Sequence, residues 1–162
     1  GGGGNGWPPS GITLSRGVTF STMQYGPIAG LDWNNSMWAG YYDYEECQAI
    51  GIRDAVCFGP ALIVNGEPVS VKGQSSGLNP RTAIGQRSDG AILLLVVDGR
   101  RATSMGASYQ DLAEQMLAFG AVNASNLDGG SSSLMWMNGE YLNNKAAVIG
   151  VRPIPDTFLV MP

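Results

Sequence analysis

The sequence predicts an α+β domain: a mixed β-sheet with few helices and one clear helix in a βαβ-like unit. Three observations lead there. Short strand patterns separated by tight-turn dipeptides fill most of the chain. One amphipathic helix pattern, at 109–119, stands between two apolar runs. The longest apolar run, Ala91–Val97, is strand-sized and far short of the ~20 residues that span a bilayer. The 162 residues, 44% hydrophobic and 14% charged, fit a single domain over 1–162 with one real core.

The elements follow in chain order. The first ten residues are Gly/Pro-rich loop. Gly11 to Phe20 alternates loosely and carries a short strand or two, and Pro27 to Gly40 reads as loop or short strands. Glu45 to Gly51 fits one short helical turn closed by the glycine. Ala55 to Phe58 and Ala61 to Val64 read as strands. Asn65-Gly66 is a type I′ hairpin dipeptide, with Glu67 to Val71 returning. Arg81 to Gly85 starts a strand, Asp89-Gly90 marks a turn, and Ala91–Val97 suits a strand covered on both faces. Ser108 with Asp111 forms a capping-box-like start. Leu112, Met116 and Phe119 follow at helical spacing and should be buried, with Gln110, Asp111 and Glu114 exposed; Gly120 closes the helix. Ala121 to Leu127 runs into a loop, Leu134 to Tyr141 fits a hairpin around Asn138-Gly139, and Phe158 to Met161 reads as a final strand. The run 91–97, the helix and 123–127 make a right-handed βαβ crossover. That arrangement would set Asp98 and Asp128 at the carboxyl ends of adjacent parallel strands, where ligands of open α/β sheets collect.

Composition narrows the function. The net charge is −4, with nine Lys+Arg, seven of them Arg, and no basic run, so a nucleic-acid partner is not expected. Histidine is absent, which removes Ser-His-Asp and Cys-His catalysis and His-ligated metals. Acid–base chemistry falls to Asp, Glu, Tyr, Lys or Cys. Two cysteines, Cys47 and Cys57, are too few for structural zinc. They form either a disulfide or two buried thiols. The opening Gly1-Gly2-Gly3-Gly4-Asn5-Gly6 suggests a trimmed chain whose first strands are missing. Low lysine and abundant Gly, Ser and Asn point to an extracellular or cell-surface protein.

Three segments carry the polar chemistry. In Asn79-Pro80-Arg81-Thr82-Ala83-Ile84-Gly85 an arginine enters a strand from a loop, offering a planar fork of donors suited to phosphate. In Val97-Asp98-Gly99-Arg100 an apolar strand ends in a carboxylate and a guanidinium; Arg101 beside them reads as solvated. In Asn126-Leu127-Asp128-Gly129-Gly130-Ser131-Ser132 the two glycines would let consecutive N–H groups converge as an anion nest, with serine hydroxyls as further donors. Each segment also reads as an ordinary strand end or turn.

Taken in order, these segments resemble the phosphodiester glycosidase family. That family includes the lysosomal uncovering enzyme, which removes N-acetylglucosamine from its phosphodiester link to mannose 6-phosphate, and many bacterial, exopolysaccharide-related proteins. The closing Arg152-Pro153-Ile154-Pro155-Asp156-Thr157-Phe158-Leu159-Val160 is similar to the family's last strand. The resemblance runs from about Gly11 to the end. Ser131 stands where the family usually has a third glycine.

The resemblance implies hydrolysis of a sugar 1-phosphodiester, and no cofactor is expected unless a divalent cation such as Ca²⁺ or Mg²⁺ takes part. A phosphate monoester leaves readily, since its second pKa is near ~6. Arginine and a backbone nest stabilise its charge without histidine. Arg81, Gly129, Gly130, Ser131 and Ser132 are assigned to phosphate. Arg100 is a second phosphate contact or the partner that keeps Asp98 ionised. Asp128 and Asp98 are the carboxylate candidates, with Glu46 as an outsider, and Thr82 and Asn126 brace them or position substrate. Arg81, Asp98, Arg100 and Asp128 should face one cleft. Two other readings compete: a non-catalytic carbohydrate- or teichoic-acid-binding module using Trp7, Trp33, Trp38 and Tyr41, and a phosphoesterase holding Mg²⁺ or Ca²⁺ on Asp98 and Asp128.

Overall fold

The structure, a computed structural model, describes residues 9–24, 26–71, 77–146, 151 and 153–161. Its strands form two five-stranded sheets and one small ribbon. The first sheet takes β1 (Thr13–Ser15), β2 (Val18–Ser21), β3 (Ile28–Asp32), β4 (Met37–Gly40) and, after α1 (Tyr44–Ile50), β5 (Ile52–Cys57), in the order β2-β1-β5-β3-β4. The second takes β6 (Ala61–Val64), β7 (Glu67–Pro68), β8 (Arg81–Arg87), β9 (Ile92–Val97) and, after α2 (Tyr109–Ala118), β10 (Ala121–Asn126), in the order β7-β6-β10-β8-β9. The ribbon is β11 (Trp136–Met137) with β12 (Glu140–Tyr141).

The α+β class stands, but the expected parallel pair does not. Every strand pairing among the described residues is antiparallel. β8 lies between β9 and β10 and pairs with both, so those two run the same way without touching. β9 is an edge strand, not one covered on both faces: Ile92 and Leu94 are exposed, while Leu93, Leu95 and Val97 pack on the α2 side. The interior strands β8 and β10 bury mostly small or polar residues, Ala83, Gly85, Ala121, Ala124, Ser125 and Asn126, beside the larger Ile84.

Three apolar clusters show how the layers stack. Cys47 of α1 joins Ile12, Leu14, Ile28, Ile52 and Ala55 on one face of the first sheet. Leu112, Ala113 and Met116 of α2 join Leu62, Ile63, Ala83 and Ala124 on one face of the second. Ala29, Met37, Ala39, Ala61 and Ile84 fill the space between the sheets. Two side-chain amides also cross that space, one from buried Gln86 and one from partly buried Asn123. Met37 N–H donates to Gln86 Oε1 at 2.7 Å, and Asn123 Nδ2 donates to Met37 O at 3.1 Å. Two side chains of the second sheet thus satisfy the backbone of edge strand β4.

The helices follow local chemistry. Ser108 and Asp111 form a complete capping box at α2, with Leu112 and Met116 fully buried and Gln110, Asp111 and Glu114 exposed. Phe119 is exposed instead of buried, because the helix ends at Ala118 and residue 119 leaves the helical rotation. α1 is a seven-residue helix, longer than the single turn expected, ended by Gly51 at φ 83°. Residues 158–161 pair with no sheet. Phe158 packs against the buried cluster between the sheets, but Leu159, Val160 and Met161 are all exposed, without the alternation of a half-buried strand. Cys47 and Cys57 are buried free thiols. Burial pushes the Cys47 thiol up to about 11.

Candidate active site

The second sheet brings three predicted segments to one end. β8 starts at Arg81 opposite Val97, the last residue of β9, and Asn126 ends β10 opposite Ala83. Leu127 N–H donates to Thr82 O at 2.8 Å, and Gly130 N–H to Pro80 O at 2.9 Å. Asp98 and Asp128 therefore follow strands that finish at the same edge where Arg81 begins. The glycines permit this crowding. A Cβ on Gly99 would lie 2.6 Å from Pro80 N, and one on Gly129 would lie 2.8 Å from Pro80 O.

Arg81 is 5% exposed. Its Nε donates to Ala107 O and its Nη2 to Gly77 O, both at 3.0 Å, and its guanidinium lies 4.2 Å from the Tyr109 ring centroid. It clamps the loops around the strand start. Arg100 is the exposed cation of the group. At φ 59° its backbone is left-handed, which turns the side chain toward Asn79, whose Oδ1 accepts from Nη2 at 3.0 Å. A Cβ on Gly130 would lie 3.3 Å from that Nη2, so this glycine leaves the room Arg100 occupies.

The expected open nest is closed. Gly129 N–H donates to Asp128 Oδ1 at 2.9 Å, Gly130 N–H to Pro80 O, and Ser132 N–H to Gly129 O at 3.1 Å. Residues 130–132 form a 3₁₀ turn, which consumes amides that would otherwise converge on an anion.

Asp98 and Asp128 differ in surroundings. Asp98 Oδ1 accepts from Asn144 N–H at 3.0 Å and Asn143 Nδ2 at 3.4 Å, and Oδ2 from Asn144 Nδ2 at 2.6 Å. Burial pushes its carboxyl up, but these hydrogen bonds and the Arg101 charge together hold it below the ordinary value. Arg101, not Arg100, is thus the cation acting on Asp98, because Arg100 is turned to Asn79. Both Asp98 oxygens thus accept from amide donors. Among the described residues, no three His, Cys, Asp or Glu side chains gather to hold a metal.

Two assignments move elsewhere. Glu46 belongs to α1 on the first sheet, where its Oε2 accepts from Asp43 N–H at 2.8 Å as half of a capping box. Asn126 is buried and donates from Nδ2 to Gly59 O at 2.6 Å, so it braces the junction before β6 and not a carboxylate. Its Oδ1, Thr82 Oγ1 and Ser133 Oγ are buried without hydrogen-bond partners, leaving polar sites beneath this edge. Of the sugar-stacking aromatics, Trp33 and Tyr41 are exposed on the first sheet's side of the molecule, Trp38 is partly buried against Tyr42, and Trp7 lies outside the described residues, as does Arg152.

One carboxyl was not foreseen. Burial, and then the charge of neighbouring Asp128, raise the Asp156 carboxyl above its ordinary value. The visible signal was an acid just after Pro153 and Pro155, in a segment read only as a strand.

The family model for phosphodiester glycosidases matches residues 2–161. The SPbeta prophage-derived uncharacterized protein YomE of Bacillus subtilis is 38% identical over 114 residues, 68% of this chain and 18% of its own length. N-acetylglucosamine-1-phosphodiester alpha-N-acetylglucosaminidase of Bos taurus is 40% identical over 62 residues, 38% of this chain and 12% of its own length. The chain thus spans less than a fifth of either relative. Among solved structures, the catalytic domain of the zebrafish enzyme of that name, auto-inhibited by its pro-peptide, aligns with a TM-score of 0.72 at 21% identity, covering 90% of this chain and 54% of that one. The chain belongs to the phosphodiester glycosidase family.

Proposed function

We propose that the edge built by Arg81, Arg100 and Asp128 hydrolyses a sugar 1-phosphodiester. The observation that carries the reading is the exposed Arg100 guanidinium lying against Gly130, two residues from the Asp128 carboxylate. A cation for phosphate and an anion for the sugar side then stand across one turn. Arg100 and the Ser131 hydroxyl bind the phosphate, in place of the amides closed off by the 3₁₀ turn. Arg81 fixes the loops that frame them. Asp128, as nucleophile or as base for water, opposes the positive charge of an oxocarbenium-like transition state. Burial and the Asp128 charge hold the Asp156 proton higher than on an ordinary carboxyl, which makes Asp156 the candidate acid of this edge. Gly129, Gly130, Thr82, Asn126 and Ser132 form the frame.

The test uses an activated N-acetylglucosamine 1-phosphodiester for rate and the sugar 1-phosphate for binding. Asp128→Asn should lower turnover about 10²- to 10⁴-fold while binding persists, because the charge acts in the transition state. Arg100→Ala should weaken both. Turnover should fall as pH rises through the raised Asp156 value, and Asp156→Asn should remove that limb. Near wild-type turnover by Asp128→Asn would overturn the assignment. Binding of sugar phosphates without turnover of any diester would favour the carbohydrate-binding module.

A further inference from the structure

Resting on that reading, we infer that the β11–β12 ribbon is a docking surface for an anionic glycan chain, so that the substrate is a phosphodiester-linked polysaccharide. Trp136 is 63% exposed and Tyr141 39% exposed. They stand directly opposite in the register, so both rings share one face of the ribbon, while Met137 and Glu140 take the other. Lys145 Nζ lies 4.0 Å from the Tyr141 ring centroid. Its carbonyl accepts from Arg101 Nη2 at 3.2 Å, which brings a second exposed cation beside it. The acidic Glu140 is thus turned away from the face that carries the rings and Lys145.

The ribbon is fixed beside the candidate site. Met135 N–H donates to Asn143 Oδ1 at 2.7 Å, and Asn143 Nδ2 to Ser133 O at 2.9 Å. Asn143 and Asn144 then bind Asp98, and the chain reaches β11 directly from the Gly130–Ser132 turn. The ribbon is therefore tied to the Asp98 end of β9 and follows the Asp128 turn in the chain. A two-strand ribbon cannot bury its own rings, and exposed aromatics at a fixed position mark an interaction surface. The occupant follows from chemistry: sugar rings offer apolar C–H faces to Trp136, and linking phosphates offer charge to Lys145 and Arg101. The cations sit here although the whole chain carries a net charge of −4.

The experiment compares three probes: a poly(N-acetylglucosamine 1-phosphate) chain, the methyl diester of N-acetylglucosamine 1-phosphate, and a neutral N-acetylglucosamine hexamer. Trp136→Ala should raise KM for the polymer about tenfold, the scale of one lost aromatic anchor. Its kcat, and its kinetics on the methyl diester, should stay within about twofold of wild type by the same scale. Trp136→Phe should retain most of the affinity. Lys145→Ala with Arg101→Ala should weaken polymer binding and flatten its salt dependence. Equal effects of Trp136→Ala on polymer and methyl diester, or a hexamer that binds as tightly as the polymer, would overturn the inference. Calorimetry of the polymer with Asp128→Asn separates the two readings. Trp136-dependent binding without wild-type turnover keeps the surface and removes the hydrolysis. Turnover of the methyl diester with polymer binding insensitive to Trp136 does the reverse.

Discussion

Asp98 and Asp128 each follow a strand of the second sheet, and their neighbours give them different work. Asp98 accepts from three N–H groups of Asn143 and Asn144, which makes it a latch for the segment behind the ribbon. Asp128 accepts from the adjacent Gly129 N–H, and its charge acts on the Asp156 carboxyl. The latch has a pH consequence. The folded-state value of Asp98 is depressed, so its contribution to stability is present above the unfolded value of ~3.9 and is lost as pH falls through the lower, folded one. The melting temperature of wild type should drop on acidification below pH ~4, and Asp98→Asn should show a shallower drop from a lower starting point. Equal acid sensitivity in the two proteins would remove Asp98 as the latch. Asp98→Asn should also reduce turnover far less than Asp128→Asn.

At the scale of elements, legibility depended on whether local chemistry decides the backbone. Asn65-Gly66 and Asn138-Gly139 are hairpin turns with positive φ at every position, 52° and 85° then 52° and 90°, as the dipeptides foretold. The Ser108 capping box did the same for α2. Asp43 and Glu46 form an equally plain box, and reading it would have kept Glu46 out of the candidate site. Centrality in a sheet was not legible. β9 looks interior because it is continuously apolar, yet it is the edge, and β8 beside it is interior, its small residues admitting Met116 and β10 closely. A Cβ on Gly85 would lie 3.2 Å from Met116 Sδ and 3.0 Å from Asn123 O. The convergence of Arg81, Arg100 and Asp128 was readable from motif order. The burial of Arg81, the closed amides of the Gly129–Ser132 turn and the approach of Asp156 were not, since each depends on contacts between segments far apart in sequence.

Across the whole molecule, two sheets with a helix on each outer face meet through alanines and two amides. Gln86 accepts from Met37 N–H and donates to Asn35 O and Gly90 O, and Asn123 donates to Met37 O. Removing either leaves a buried backbone group of β4 without its partner, so Gln86→Ala and Asn123→Ala should each cost about 1–3 kcal/mol. Because both act on Met37, their combined effect should depart from additivity by about 0.5 kcal/mol or more in a double-mutant cycle read by urea unfolding. Strict additivity would mean that the two amides act on β4 independently, and single costs near zero would mean that the sheets are held by apolar contact alone. This packing fixes the edge on which the proposed hydrolysis depends, and the central claim is that the bond broken there joins sugar carbon to phosphate oxygen. Hydrolysis of an N-acetylglucosamine 1-phosphodiester in ¹⁸O-labelled water, with the released phosphate monoester read by ³¹P NMR, tests it directly. The account predicts a phosphate free of ¹⁸O, because water adds to the sugar; ¹⁸O in the phosphate would show cleavage at phosphorus and contradict it.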